Sequence, residues 1–538
     1  MRTPLRDIEK INERLDAVQF LVQCNSNQLL KNMRSYMRLI SNLPRILCRM
    51  QQSSALPSYW KSILQTLNAI EKLIYLCLPH SAELYPVRNL LNERAQLDLL
   101  RKVQTWIMCI VDVEATSKQN RFSVRPGTDS TLDEWKQTYR CLPELLSQLA
   151  EEELKKLREN ISTCGLIYFP LVGYLLKIPK AEVTTPDIDL SNLEFAFTDT
   201  DMAYYRNETT RELDKRYGDV MYSIIDSETT IMHRLQDRIV NHCKELLRLY
   251  EFAIEIDCLC AYAMAAISMN GVRPKIVKES MICIKNGWHP LQQLMCSNTV
   301  RNSFNSDPVN PRVTVITGPN ASGKSIYSKQ VCLIVYLTQI GSFVPAEEVV
   351  IGLVDGIYTL TSAESLGNNG HSSFKVSLNL ASMAIRNATK DTLILFDEFA
   401  HCLDEHEVTA LTVAIVEYFL DRNESPHVVV CTHNFDILNS LQERSGVKFV
   451  TMKTTTHAGK LTYLYETTNG VTRNSHAIEV ARNAGLPKDV AERAKEMLEL
   501  GSCEKVHNLL VKFNSLDLNK VTPQLMEFVR SLDEFFPD

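Results

Sequence analysis

The sequence predicts a multidomain protein: an α-helical body with a small α+β insertion, followed by an α/β nucleotide-binding domain of the P-loop type. Three observations predict it. Through most of the first 270 positions apolar residues recur at spacings of three and four, the period of an amphipathic helix. That period lapses around 165–205, where short β-type runs stand between Pro- and Thr-rich loops. From about 275 onward, short β-branched runs alternate with helical stretches. One of these runs leads into Gly318-Pro319-Asn320-Ala321-Ser322-Gly323-Lys324-Ser325, which matches G-x-x-x-x-G-K-[ST] at every defined position.

The helical body is legible from its first residues. Ile8, Ile11, Leu15, Val18 and Leu21 form one apolar stripe, and helices are expected over Leu29–Met50, Tyr59–Leu78 and Ala82–Val113. Such stripes are by default core. Thr116–Thr128 has turn residues and no period, so a loop or boundary is expected there. Thr131–Leu157 is helical and highly charged. Gly165–Lys177 and Leu190–Tyr205 read as extended segments, and helices resume from Thr209 to Met269. A helical body interrupted and then resumed suggests an antiparallel lever with a module at its tip. In the second half, strands are expected at Met281–Ile284, Val313–Thr317, Gly356–Thr361, Leu393–Phe396, Val428–Cys431, Val447–Lys453 and Leu461–Glu466.

Composition narrows the function classes. The 538 residues suggest about three to five domains. Apolar residues make up 45% and charged residues 23%, ordinary for a folded domain. With a net charge of −6 there is no global basic field to steer the chain onto DNA, so nucleic-acid contact must come from local patches. The 15 cysteines form no C-x-x-C pair and no Cys/His cluster with zinc spacing, which fits reduced thiols of the cytosol or nucleus. The N-terminus is charged from its second residue, unlike a signal peptide, and no run of 18 apolar residues occurs, so no membrane span is expected.

The chemistry-bearing residues follow from the loop. Val313–Thr317 is the buried strand before it, and a helix carrying Val331, Ile334 and Val335 follows it. Glycines at 318 and 323 let backbone N–H groups turn toward phosphate oxygens, and the helix N-terminus adds partial positive charge. Lys324 is the candidate for the β- and γ-phosphates, and the Ser325 hydroxyl for Mg²⁺. Thr392–Phe396 is an apolar strand ending in Asp397 and Glu398. Asp397 is the candidate to support Mg²⁺ and Glu398 to polarise the attacking water. His433 follows another apolar strand. Alone, such a histidine is more often a satisfied core or surface group; its order after the phosphate-site motifs makes it a candidate for the γ-phosphate or water. Ser372, ahead of the helical run Val376–Ile385, reads on sequence alone as a helix cap.

At these residues the chain resembles the MutS family. Thr317–Tyr327 resembles the family's TGPN-x-x-GKS-x-Y motif, and Asn286–Leu291 its N-G-R-H-P-L segment. Gly341–Ala346 resembles the family's segment after the P-loop, and Leu393–Glu398 its Mg²⁺ strand. Ser475-His476-Ala477 with Ala484-Gly485-Leu486-Pro487 resembles its C-terminal helix-turn-helix. The wording GSFVPAEE, SGKSIY and region 164–178 is most similar to a eukaryotic meiotic branch. The resemblance implies core and lever helices over 1–124, a clamp insertion over 125–208 and returning lever helices over 209–270. It implies an ABC-type P-loop ATPase domain over 271–470 and a C-terminal helical dimerisation region over 471–538. It further implies ATP and Mg²⁺ as cofactors, double-stranded, branched DNA as ligand, nuclear localisation, and another MutS homologue as heterodimer partner. Ser372 would then be the signature serine offered to the partner's nucleotide. The resemblance places the start of this sequence at the family's core, without the mismatch-reading and connector domains, so a truncated or shortened form is expected.

Departures from the pattern qualify the ATPase. After Glu398 relatives carry G-[RK]-G-T-x-T-x-D-G, whereas here Phe399-Ala400-His401-Cys402-Leu403-Asp404-Glu405-His406-Glu407 follows. Ser377 stands where relatives have a carboxylate, and Thr299 aligns with the aromatic that stacks on adenine. Binding through the phosphates should survive better than hydrolysis. Two further readings therefore stand beside the DNA clamp: an ATP-binding pseudo-enzyme and a mitotic mismatch-repair subunit. A transporter ATPase is disfavoured, since no LSGGQ-like run is present.

Overall fold

A computed structural model describes residues 3–23, 27–52, 54–91, 95–157, 161–183, 192–295, 299–361, 373–399, 404–457, 460–472, 477–483 and 485–501. The chain divides into two compact units: Phe20–Ala261, and Met1–Gln19 together with Tyr262–Asp538.

The first unit is helical with one small sheet. Helix Ser58–Cys77 buries Trp60, Ile63, Leu67, Ile70, Leu73 and Cys77, which is the three-and-four spacing the sequence carries. The expected single helix over Leu29–Met50 is two helices, Asn27–Met37 and Leu43–Gln51. The break is local chemistry. The Asn42 side chain accepts from Arg45 N, and Pro44 fills the first turn, where no N–H is needed. Within Ala82–Val113 the described helices are Tyr85–Leu91 and Ala95–Ile110. The stretch expected as a loop, Thr116–Thr128, begins inside a short helix, Val113–Gln119, capped by the Asp112 carboxylate on Ala115 N.

Helix Ser130–Leu157 leads into the insertion. Strands β1 (Gly165–Phe169), β2 (Gly173–Pro179), β3 (Glu194–Thr198) and β4 (Met202–Arg206) form one antiparallel sheet in the order β1-β2-β4-β3. Each of the two expected extended segments is therefore a pair of strands. Helices Glu208–Tyr217, Val220–Val240 and Cys243–Met269 follow. The Glu228 carboxylate is buried and ties this region together. It lies 2.8 Å from Arg121 Nη1 and 2.7 Å from Lys136 Nζ, and it accepts from Val124 N at 3.0 Å. By length and composition Cys243–Met269 is apolar enough to cross a membrane, a feature the run-length reading of the sequence missed because Glu255 and Asp257 interrupt it. Its buried residues Leu246, Leu249, Phe252, Ile256, Leu259 and Ala263 fall on one helical stripe.

The second unit is a layered α/β structure with two sheets. The larger has the order β10 (Gly356–Thr361), β11 (Thr392–Asp397), β12 (His427–Cys431), β8 (Val313–Thr317), β13 (Val447–His457), β14 (Lys460–Asn469). Its first five strands run parallel and β14 closes the edge antiparallel to β13. All residues of β8, β11 and β12 are buried, as expected of central strands covered on both faces. One face packs on helix Lys324–Gln339 and the smaller sheet, through Ile316, Tyr327, Val331, Ile334 and Val349. The other face packs on helices Ser373–Asn387, Glu405–Leu420 and Phe435–Gln442, through Val315, Ile394, Phe396, Val416 and Leu438.

The smaller sheet, β5 (Lys275–Val277), β9 (Glu348–Gly352), β6 (Ile282–Gly287) and β7 (Asn302–Ser306), was only partly foreseen. Of its strands the sequence announces β6 alone. Strand β7 reads Asn-Ser-Phe-Asn-Ser and buries alternate positions, two of them polar. A search for β-branched runs passes over such a strand.

Candidate functional site

The tops of the central strands converge on a cavity of about 580 Å³. The Gly318–Ser325 loop forms its floor. Gly318 and Gly323 take φ of 144° and 98°, and Ala321 takes 63° between them. These left-handed values turn the loop sharply, and glycine adopts them without strain. A Cβ at Gly318 would lie 3.0 Å from Ser322 Oγ, and one at Gly323 3.2 Å from Tyr465 Cδ1. The helix begins at Lys324, so its N-terminal N–H groups face the same space.

Lys324 is 5% exposed. Its Nζ donates to Gly318 O at 2.9 Å and Pro319 O at 3.0 Å. Burial pulls the ammonium below the ordinary lysine range, while Glu398, Cys431 and Asp397 act the other way. Ser325 Oγ donates to Asp397 Oδ1 at 2.7 Å, and Lys329 Nζ stands 3.8 Å from Asp397 Oδ2. Glu398 also lines the cavity, with a positive φ of 51° and its N–H donating to Cys431 O at 3.3 Å. His433 Nδ1 lies 3.6 Å from Glu398 Oε1, while His433 is not among the lining residues. The loop with Lys324 and Ser325, and the pair Asp397 and Glu398, are thus brought together from two strand ends, and His433, beyond a third, reaches the cavity through Glu398. Ser372 and the segment 400–403 lie outside the described residues.

Among the described residues, three buried polar atoms at this cavity have no hydrogen-bond partner: Ser322 Oγ, Thr299 Oγ1 and His289 Nδ1. Leaving such groups unmet costs free energy, and a polar ligand would satisfy them. A triphosphate fits the donors of the loop, and a divalent cation fits the pair Ser325 Oγ and Asp397. Burial first, and Lys329 second, keep the His289 imidazole less basic than usual. Asn302, Gln330, Met452 and Tyr465 complete the walls. No motif announces them, because they come from β7, the middle of a helix, β13 and the edge strand β14, with no fixed spacing to the loop.

Two family models match this chain: MutS domain III over residues 1–263 and MutS domain V over residues 314–500. The chain belongs to the MutS family. The cavity floor, Asp397 and Glu398 all lie within the MutS domain V match. Among similar proteins, MutS protein homolog 5 of Caenorhabditis elegans is 29% identical over 504 residues, covering 92% of this chain and 36% of that protein. MutS protein homolog 5 of Saccharomyces cerevisiae is 27% identical, covering 83% of this chain and 56% of the relative. The DNA mismatch repair protein MutS of Caldicellulosiruptor saccharolyticus is 27% identical, covering 93% and 57%. This MutS-family chain therefore spans well under two thirds of the length of these relatives.

Proposed function

We propose that this chain is the ATP-binding clamp subunit of a MutS-type heterodimer that acts on branched, double-stranded meiotic recombination intermediates such as Holliday junctions. It would promote crossing-over and chromosome segregation in the nucleus. The observation that carries the nucleotide part is that Lys324 and Ser325 line one cavity over a left-handed glycine turn, with Asp397 held on the Ser325 hydroxyl. Loop N–H groups and Lys324 hold the phosphates, Ser325 and Asp397 hold Mg²⁺, and Tyr465 offers a ring face to the base where Thr299 has none. Bound Mg²⁺ offsets phosphate charge. Glu398 is the carboxylate placed to take a proton from water, and His433 orients it.

The DNA part is supported by the MutS domain III match and by relatives named MutS protein homolog 5. In this proposal 1–124 and 209–270 are core and lever, 125–208 the clamp, 271–470 the ATPase domain and 471–538 the dimerisation region. The helices Ala477–Asn483 and Lys488–Gly501, with a left-handed Gly485 between them, fit a helix-turn-helix there. Ser372 completes the nucleotide site of the partner subunit. DNA contact is backbone-directed and salt-dependent, since a sliding clamp cannot depend on base edges.

The test is titration with Mg·ATP, followed by junction binding together with another MutS homologue. Saturable nucleotide binding that is lost on adding EDTA, and release of four-way junctions on adding ATP, are expected. Binding of a mispaired duplex in preference to a junction would replace this reading with mismatch repair.

A further inference from the structure

Strand β14 is irregular where it borders the cavity. Met452 pairs with Thr467 and Thr454 with Tyr463, so one residue of β13 faces three of β14, namely 464–466. Such a bulge removes ladder partners from the backbone of the longer strand. At its centre Tyr465 takes φ of 57°. That value is unfavourable for a residue with a bulky side chain, and it persists only where surroundings enforce it.

The enforcement comes from the other sheet. Asn302, the first residue of β7, is 7% exposed. Its Nδ2 donates to Tyr465 O at 2.9 Å, and its Oδ1 accepts from Thr467 N at 2.8 Å. One carboxamide thus stands in for the missing strand, meeting a carbonyl and an N–H two residues apart. Asn302 O in turn accepts from Gln330 Nε2 at 3.4 Å, on the helix that begins with the loop lysine. With the backbone held this way, the Tyr465 ring lines the cavity and closes on Gly323.

We infer that Asn302 is a positioning residue for nucleotide: it pins the bulge at Tyr465–Thr467 so that the Tyr465 ring forms the wall against the aromatic base. The inference rests on the nucleotide reading of this cavity and adds to it a requirement in the wall that carries Tyr465, outside the loop itself. Aspartate at 302 keeps the size and the acceptor, loses the donor and sets a negative charge against Tyr465 O. Leucine removes both bonds.

The experiment compares Mg·ATP with Mg·tripolyphosphate by calorimetric titration of the full chain. In Asn302→Asp and Asn302→Leu, ATP affinity should fall roughly tenfold, the order expected from losing one or two buried hydrogen bonds. Tripolyphosphate affinity should stay within about twofold, because the loop is untouched. In a Tyr465→Ala background the Asn302 substitutions should have no further effect on ATP. Unchanged ATP affinity, an equal loss for both ligands, or a full additive loss with Tyr465→Ala would each overturn the role of Asn302. Should either substitution prevent folding, Asn302→Ser takes its place under the same criteria. A wild-type chain that binds neither ligand would instead remove the nucleotide reading itself.

Discussion

Replacing Lys324 by alanine tests the nucleotide site most directly. Its ammonium is buried and spends two hydrogen bonds on Gly318 O and Pro319 O. A phosphate about 4 Å away, at an effective dielectric near 20, would attract it by about 4 kcal/mol. Giving up the two carbonyl bonds costs about 1 kcal/mol each. The net contribution to binding is then about 2 kcal/mol, or roughly a thirtyfold change in Kd. Lys324→Arg should recover part of this, since charge is kept and shape is not. The assay is titration of Mg·ATP into wild-type and variant protein, with thermal melting as a check on folding. A variant that melts normally and binds within threefold of wild type would refute the reasoning, because the buried lysine would then not face the phosphates. Loss of nucleotide-triggered release from DNA should accompany the binding loss.

Three more outcomes are expected. Glu398→Ala in this subunit alone should slow single-turnover hydrolysis by about a hundredfold while leaving ATP affinity near wild type, as removal of a general base does; unaltered turnover would favour the pseudo-enzyme. His427 is buried between Ser306 Oγ, 2.6 Å from its Nδ1, and Ser280 Oγ, 3.3 Å from its Nε2. Burial foremost, then Arg312, hold its pKa at about 3 against 6.5 in the open, with Asp307 opposing. The unfolded chain therefore takes up the proton first as pH falls below 6.5, and stability declines by about 1.4 kcal/mol per pH unit toward pH 3. Denaturant unfolding at pH 7 and pH 5 should show a drop of about 2 kcal/mol that His427→Asn lacks; equal drops in both proteins would contradict it. Glu228→Ala should cost about 3 kcal/mol, because Arg121, Lys136 and Val124 N all lose their shared acceptor. A melting temperature shifted by less than a degree would show that the hub contributes nothing.

What was readable in advance was what local chemistry dictates. The loop from Gly318 to Ser325 was fixed by its own residue types, because only glycine meets the positive φ at 318 and 323 without strain. The central strands were readable because both their faces are buried, so the chain spells them as apolar runs. Helix positions were set by apolar period, though not their interruptions: Asn42 with Pro44 breaks one helix through two residues that a period count averages away.

Tertiary structure decided the rest. Nothing in the order of residues says that Asn302 meets Tyr465, since 163 positions separate them and neither belongs to a motif. The polar strand Asn302–Ser306 exists because β6 offers it an edge, not because its residues favour extension. Pairings of this kind depend on which backbones two sheets bring within hydrogen-bond reach. The phosphate end of the cavity is therefore written in one contiguous stretch, and the wall that carries Tyr465 in the packing of distant strands.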